Sequence, residues 1–229
     1  MIETFADREA LADAAAGLIA LQLSEAIAAR GHAGFIVTGG ASPGPVYDRL
    51  AKTHLDWRKV TATLSDDRWV DAKDPHSNEL LVRTRLQTGL AAPMGLVSLK
   101  YPAPSVEAGS AMADEAVDGL FPVDVTLLGM GEDGHIASLF PDDPIAEYGL
   151  SLHAAKRVVG VAMSGLAPFL PRISLTLPAL IDTGLVLLLI AGEAKRALIE
   201  RVLAETGYDP PVARLIRQTA APVRIFWTP

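Results

Sequence analysis

Three short clusters hold most of the residues in this 229-residue chain that could do chemistry. In one, Gly129-Met130-Gly131-Glu132-Asp133-Gly134 runs directly into His135. Imidazole as a class exchanges protons near neutral pH, so His135 is a candidate general base for activating water. A carboxylate is needed to fix its tautomer, either Asp133 or one from the second cluster, Asp66-Asp67-Arg68. The third cluster is Gly39-Gly40-Ala41-Ser42-Pro43-Gly44. Glycines let a backbone approach a ligand closely, and a helix that follows offers unpaired N–H groups and a positive dipole end. Such a loop can hold a phosphate, with the Ser42 hydroxyl as an added donor; a plain strand-to-helix turn is the alternative.

Several chemistries are disfavoured. The spacing Gly129, Gly131, Gly134 matches a dinucleotide-binding loop, but Glu132 and Asp133 put two negative charges where a pyrophosphate would sit. No carboxylate closes a second strand about 20 residues on, where a ribose partner is expected. The glycine loop lacks the Lys-Ser/Thr ending of a nucleoside-triphosphate site. A Ser-His-Asp triad through Ser138 or Ser42 is conceivable, yet no GxSxG elbow is present and a covalent route is disfavoured. The five histidines are scattered without HxxxH or HExxH spacing and there is no cysteine, so no metal is expected. Taken alone, Asp66-Asp67-Arg68 reads most simply as a solvated turn with a local ion pair. Its functional reading is a set of groups that orient a base, steer a sugar hydroxyl or meet a phosphate.

Apolar strand-like runs alternate with helical patterns, which predicts an α/β architecture with a mainly parallel, Rossmann-like sheet flanked by helices. Helices are expected over Asp7 to Ala29, stopped by Gly31, and over Pro45 to Lys52. Others are expected over Asn78 to Gln87 with Ser77 as cap, Ser105 to Leu120, and Glu193 to Ala204. Strands are expected at Phe35 to Val37, Val60 to Leu64, Gly95 to Leu99, Val123 to Leu128, Val158 to Met163, Leu185 to Ile190 and Val223 to Trp227. Each of the three polar or glycine-rich clusters follows the carboxyl end of such a strand, where open α/β sheets bind ligands.

Composition narrows the setting. One domain spanning residues 1–229 is expected, since this length suits a single core and no linker or repeat is visible. The net charge of −7 opposes nucleic-acid binding, which needs a basic face. The mixed-charge start, MIETFADREA, does not read as a signal peptide, and the apolar run Leu185 to Ala191 is too short to cross a bilayer. A cytoplasmic protein without membrane partners is expected, as a monomer or weak homodimer.

Together the clusters resemble the 6-phosphogluconolactonase family, among the sugar-phosphate isomerase/deaminase-like α/β proteins. Leu127 to Pro141 looks like its GMGEDGHTASLFP signature, departing at Ile136. Gly39 to Pro43 resembles its GGSTP loop, followed by Tyr47, and Asp66 to Val70 its DERWV stretch, with Asp67 for glutamate. Ser77-Asn78, Pro171 to Thr176 and Gly192 to Lys195 resemble further segments. Ala41 and Gly44 stand where Ser and Lys are usual, so the loop lacks that cation. The resemblance implies cofactor-independent hydrolysis of 6-phosphoglucono-1,5-lactone, with His135 as general base. It implies Arg68, Arg172, Lys195 and the Ser42 loop as phosphate partners, and an oxyanion met by backbone N–H groups or a cationic side chain. The substrate would be a small phosphorylated sugar lactone.

Two other readings share these features. A glucosamine-6-phosphate deaminase-like enzyme is expected to carry a glutamate shortly after the histidine, where this chain has Ser138-Leu139-Phe140-Pro141. A non-catalytic sugar-phosphate sensor would be expected to add a DNA-binding segment, and the chain shows no basic arm.

Overall fold

The computed structural model describes residues 2–162 and 169–229. Seven parallel strands form the main sheet: β1 (Ile2–Thr4), β2 (Ala33–Val37), β3 (Val60–Leu64), β5 (Gly95–Val97), β6 (Val123–Gly129), β9 (Thr183–Ala191) and β10 (Val223–Thr228), in the order β1-β10-β9-β6-β2-β3-β5. The expectation of a mainly parallel sheet flanked by helices holds. A second, antiparallel sheet went unforeseen: β4 (Asp66–Arg68), β8 (Arg172–Leu175) and β7 (Val158–Val161), with β8 in the middle.

The strands of the main sheet are covered on both faces. Every residue of β2 is buried, and Val186 to Ile190 of β9 are at most 2% exposed. That continuous apolar character is what a parallel strand needs between two helical layers. Each fully buried Leu, Ile or Val contributes about 1.5–3 kcal/mol of transfer free energy. On one face lies α1 (Arg8–Arg30), which has the length and apolar composition of a membrane span. Its Leu11, Ala15, Ile19 and Leu23 recur at helical spacing and are buried against the core. Asp7 caps it by accepting from the Ala10 N–H at 2.8 Å, and Gly31 ends it at φ +83°. The predicted span Asp7 to Ala29 is therefore correct to one residue at each end.

Helices α2 (Gly44–Leu50), α3 (Asn78–Arg85), α4 (Val106–Val117) and α7 (Glu193–Ala204) fall where expected, the first three ending two or three residues early. Ser77 and Ser105 are caps. Three short helices, α5 (Pro144–Leu150), α6 (Leu177–Ile181) and α8 (Pro211–Arg217), were not anticipated, since each is too short for periodicity to show. The predicted strand Val158 to Met163 is found as Val158–Val161; Met163 lies outside the described residues.

Strand order locates the site. β2 and β6 are neighbours, yet the chain leaves β2 towards β3 on one side and leaves β6 towards β9 on the other. Their following loops diverge, opening a crevice at the carboxyl edge. The loop after β2 is pinned by Tyr47 from α2. Its buried hydroxyl donates to the Thr38 carbonyl at 2.6 Å and accepts from the Thr38 N–H at 2.9 Å. Burial, the larger effect, raises the phenol's pKa, so it stays a neutral donor.

Replacing Tyr47 with Phe strips both partners from Thr38. The variant is expected to lose about 1–3 kcal/mol of stability, read as a lower midpoint in urea denaturation, and an unchanged midpoint would show that the pin is dispensable.

Candidate active site

The crevice is an open cleft with a cavity volume of about 170 Å³. It is lined by the glycine loop (Thr38 to Pro43), Asp66, Arg68 and Asn78, the turn from Gly129 to Gly131, His135, Ala137, Arg172, Leu189 and Lys195. Of the nine residues singled out from sequence, eight meet here: Gly39, Gly40, Ser42, Asp66, Arg68, His135, Arg172 and Lys195. The ninth, Asp133, is joined to His135.

His135 is presented by the tight turn after β6. Gly131 N–H donates to the His135 carbonyl at 3.0 Å, and Gly134 N–H to the Gly131 carbonyl at 3.2 Å. The ring Nδ1 lies 2.6 Å from Asp133 Oδ1, which also accepts the His135 backbone N–H at 3.1 Å. Asp133 is thus the carboxylate that orients the imidazole, a choice the sequence left open. The ring rests against Phe140, centroids 4.6 Å apart, leaving Nε2 as its uncommitted nitrogen. Burial pushes the Asp133 carboxyl up, but the His135 hydrogen bond and charge outweigh it and hold the carboxyl below its ordinary range.

The turn's glycines answer to this pair. A Cβ at Gly131 would overlap both His135 Nδ1 and Asp133 Oδ1. Gly134 takes φ +83° and presses against Pro210, at the start of α8. The GxGxxG spacing therefore serves a histidine–aspartate pair. Ile136, the departure in that block, is fully buried and apolar.

The Asp66-Asp67-Arg68 cluster is a correction. It is a buried strand, because β8 pairs with it and lifts it out of solvent. Asp66 accepts from the Ser65 hydroxyl at 2.9 Å and the Ser138 hydroxyl at 2.6 Å, so it faces the cleft without touching His135. Ser138 is fully buried in that role, which removes it as a nucleophile. Asp67 points away from the cleft into the start of α3. It accepts from the backbone N–H groups of Asn78 and Glu79 at 2.6 and 3.1 Å and pairs with Lys100 at 2.8 Å. Lys100 is a partner that sequence reading missed, since 33 residues separate the two charges.

The antiparallel register sets Arg68 directly opposite Arg172. Like charges in that position repel. Neither guanidinium has a carboxylate ion-pair partner among the described residues, and the Nε atoms of both are buried without a hydrogen-bond acceptor. Burial first, then the neighbouring Arg68 charge, lowers the Arg172 pKa. Lys195, in the first turn of α7, adds a third cation to the lining. Arg172 is buried and Arg68 half-buried, and a cationic pair of this kind can receive an anion with several oxygens.

The model of the glucosamine-6-phosphate isomerases/6-phosphogluconolactonase family matches residues 6–227. The chain belongs to that family. A curated 6-phosphogluconolactonase of Caulobacter vibrioides is 45% identical over 99% of this chain and 96% of its own length. Another, of Pseudomonas putida, is 38% identical over 100% of this chain and 93% of that protein. The crystal structure of a 6-phosphogluconolactonase from Shewanella baltica OS155 superposes with a TM-score of 0.93 at 33% identity, covering 100% of this chain and 97% of that one. Within the family the chain is an enzyme of the hydrolytic, 6-phosphogluconolactonase kind.

Because the Asp133 carboxyl is held below the ordinary value of about 3.9, the stability of its pair with His135 is present above that pH and is lost as pH falls through the lowered value. Wild type and Asp133→Asn should therefore differ in melting temperature near pH 6, the gap closing in acid below about pH 3.9. A gap independent of pH would exclude an ionised Asp133 as the ring's partner.

Proposed function

We propose that the chain hydrolyses 6-phospho-D-glucono-1,5-lactone to 6-phospho-D-gluconate, the lactone-opening step of the oxidative pentose phosphate pathway, in the cytoplasm. One observation carries the reading: a single cleft holds an aspartate-oriented imidazole and, on a separate strand pair, two opposed guanidinium groups with unpartnered Nε donors. The first suits a water attacking a carbonyl; the second suits the phosphate of the same molecule.

In this reading the phosphate dianion sits between Arg68 and Arg172, with Lys195 and the Ser42 hydroxyl as further donors. It relieves the repulsion between the arginines and anchors the distal end of the sugar. His135 Nε2 takes a proton from water as the oxygen attacks the lactone carbonyl. The tetrahedral intermediate collapses by breaking the bond to the ring oxygen, and His135 returns the proton to that oxygen, leaving a hydroxyl and a carboxylic acid whose remaining proton is released to solvent, giving the carboxylate. Asp133 stabilises the transient imidazolium, as the orienting carboxylate of a catalytic triad does elsewhere. Asp66, its oxygens fixed by Ser65 and Ser138, accepts from a sugar hydroxyl and orients the ring. Holding the substrate at both ends converts a bimolecular reaction with water into an oriented one. A deaminase reading gains no support from the lining, which contains no glutamate among the described residues.

Lactone generated by glucose-6-phosphate dehydrogenase should decay faster with the protein present; no acceleration over spontaneous hydrolysis would end the reading. His135→Ala should lower kcat by about 10²–10⁴-fold with KM little changed, the range for a positioned acid–base group. Arg68→Ala and Arg172→Ala should each act mainly on KM, by about tenfold or more. Wild-type KM in both would place the phosphate elsewhere.

A further inference from the structure

Arg68 could have been held by a carboxylate and is instead held by an amide. Asn78, the first residue of α3, is 4% exposed and lines the cleft. Its Oδ1 accepts from Arg68 Nη1 at 2.5 Å, its Nδ2 donates to the Asp66 carbonyl at 2.9 Å, and its backbone N–H donates to Asp67 Oδ1 at 2.6 Å. The same amide lies flat on the glycine loop: a Cβ at Gly39 would overlap Asn78 Oδ1, Cγ and Nδ2. One side chain thus touches the two surfaces that face each other across the phosphate end of the cleft, the loop after β2 and strand β4.

We infer that Asn78 is a positioning residue that aims the Arg68 guanidinium while leaving its charge unneutralised. The chemistry favours an amide. A carboxylate at this place would make the same hydrogen bond and form an ion pair with Arg68, and an incoming anion would then have to displace it. A neutral acceptor fixes geometry and leaves the full charge for the ligand. With Nη1 committed to Asn78 and the His76 carbonyl at 3.2 Å, Nε and Nη2 remain for an anion. The Asp67–Lys100 pair keeps Asn78 in place, since Asp67 accepts the Asn78 and Glu79 N–H groups and the Ser77 hydroxyl at 3.0 Å. Lys100 Nζ donates to that hydroxyl in turn, at 2.6 Å.

This inference rests on the phosphate reading above, and its test separates the two. Calorimetric titration with 6-phosphogluconate is to be run on wild type, Asn78→Asp, Asn78→Ala, Arg68→Ala and the double variant Arg68→Ala/Asn78→Asp. Asn78→Asp keeps the size and the backbone N–H bond to Asp67 but loses the Nδ2 bond to the Asp66 carbonyl, so a urea denaturation midpoint for each variant separates misfolding from lost affinity. Asn78→Asp is expected to weaken binding about tenfold, the scale of one charge-assisted contact, and to raise KM more than it lowers kcat. In the Arg68→Ala background the aspartate should cost little further affinity, because its effect runs through the missing guanidinium. Equal losses from Asn78→Asp with and without Arg68, or wild-type affinity in Asn78→Asp, would overturn the inference while leaving the phosphate site standing. Wild-type affinity in Arg68→Ala would bring down both.

Discussion

Two arginines placed face to face on neighbouring strands cost free energy unless something negative comes between them. Directly opposed strand residues have Cβ atoms about 5 Å apart, and like charges on such a pair repel most where water is partly excluded. Arg68 and Arg172 are nevertheless built into an antiparallel pairing beside the cleft, without carboxylate ion-pair partners among the described residues. Around them the protein spends its acidic side chains elsewhere. Asp66 is occupied by two hydroxyls, Asp67 by Lys100 and a helix N-terminus. Both carboxylates still favour the charged form of Arg172, but neither forms an ion pair with it, in a chain whose net charge is −7. On the proposed reading, a dianionic substrate is the missing counter-charge.

The second constraint is geometric. A parallel sheet sends all its carboxyl ends to one edge, and the divergence of the connections after β2 and β6 opens that edge at one place. Residues far apart in the chain, such as Ser42, His135 and Lys195, share a cleft because each begins where a strand stops.

Much of this was legible in the sequence, for identifiable reasons. Long apolar runs gave the central strands, and caps such as Ser77 and Ser105 gave helix starts, because those signals are local. The glycine loop and the turn to His135 were recognisable because tight backbone geometry demands glycine. Of the small sheet only β7 was legible: β4 is three polar-looking residues, and only pairing with β8, about a hundred residues later, makes it a strand. That distance hid the Arg68–Arg172 register, a separation of 33 residues hid the Asp67–Lys100 pair, and together they made a buried network look like a solvated turn. Asn78 stood out in the sequence only as part of a short resemblance, since nothing in a Ser-Asn pair says which arginine it will face. The choice between Asp66 and Asp133 as partner of His135 turned on side-chain reach, and the shorter loop path won.

The hydrogen bond from Ser138 to Asp66 joins the turn that carries His135 to the strand that carries Arg68. Buried and short, it fastens the main sheet to the small one at the floor of the cleft. On the proposed reading, that bond holds the imidazole and the guanidinium pair at a set span, and a phosphorylated lactone one carbon shorter would present its carbonyl off the line of the attacking water.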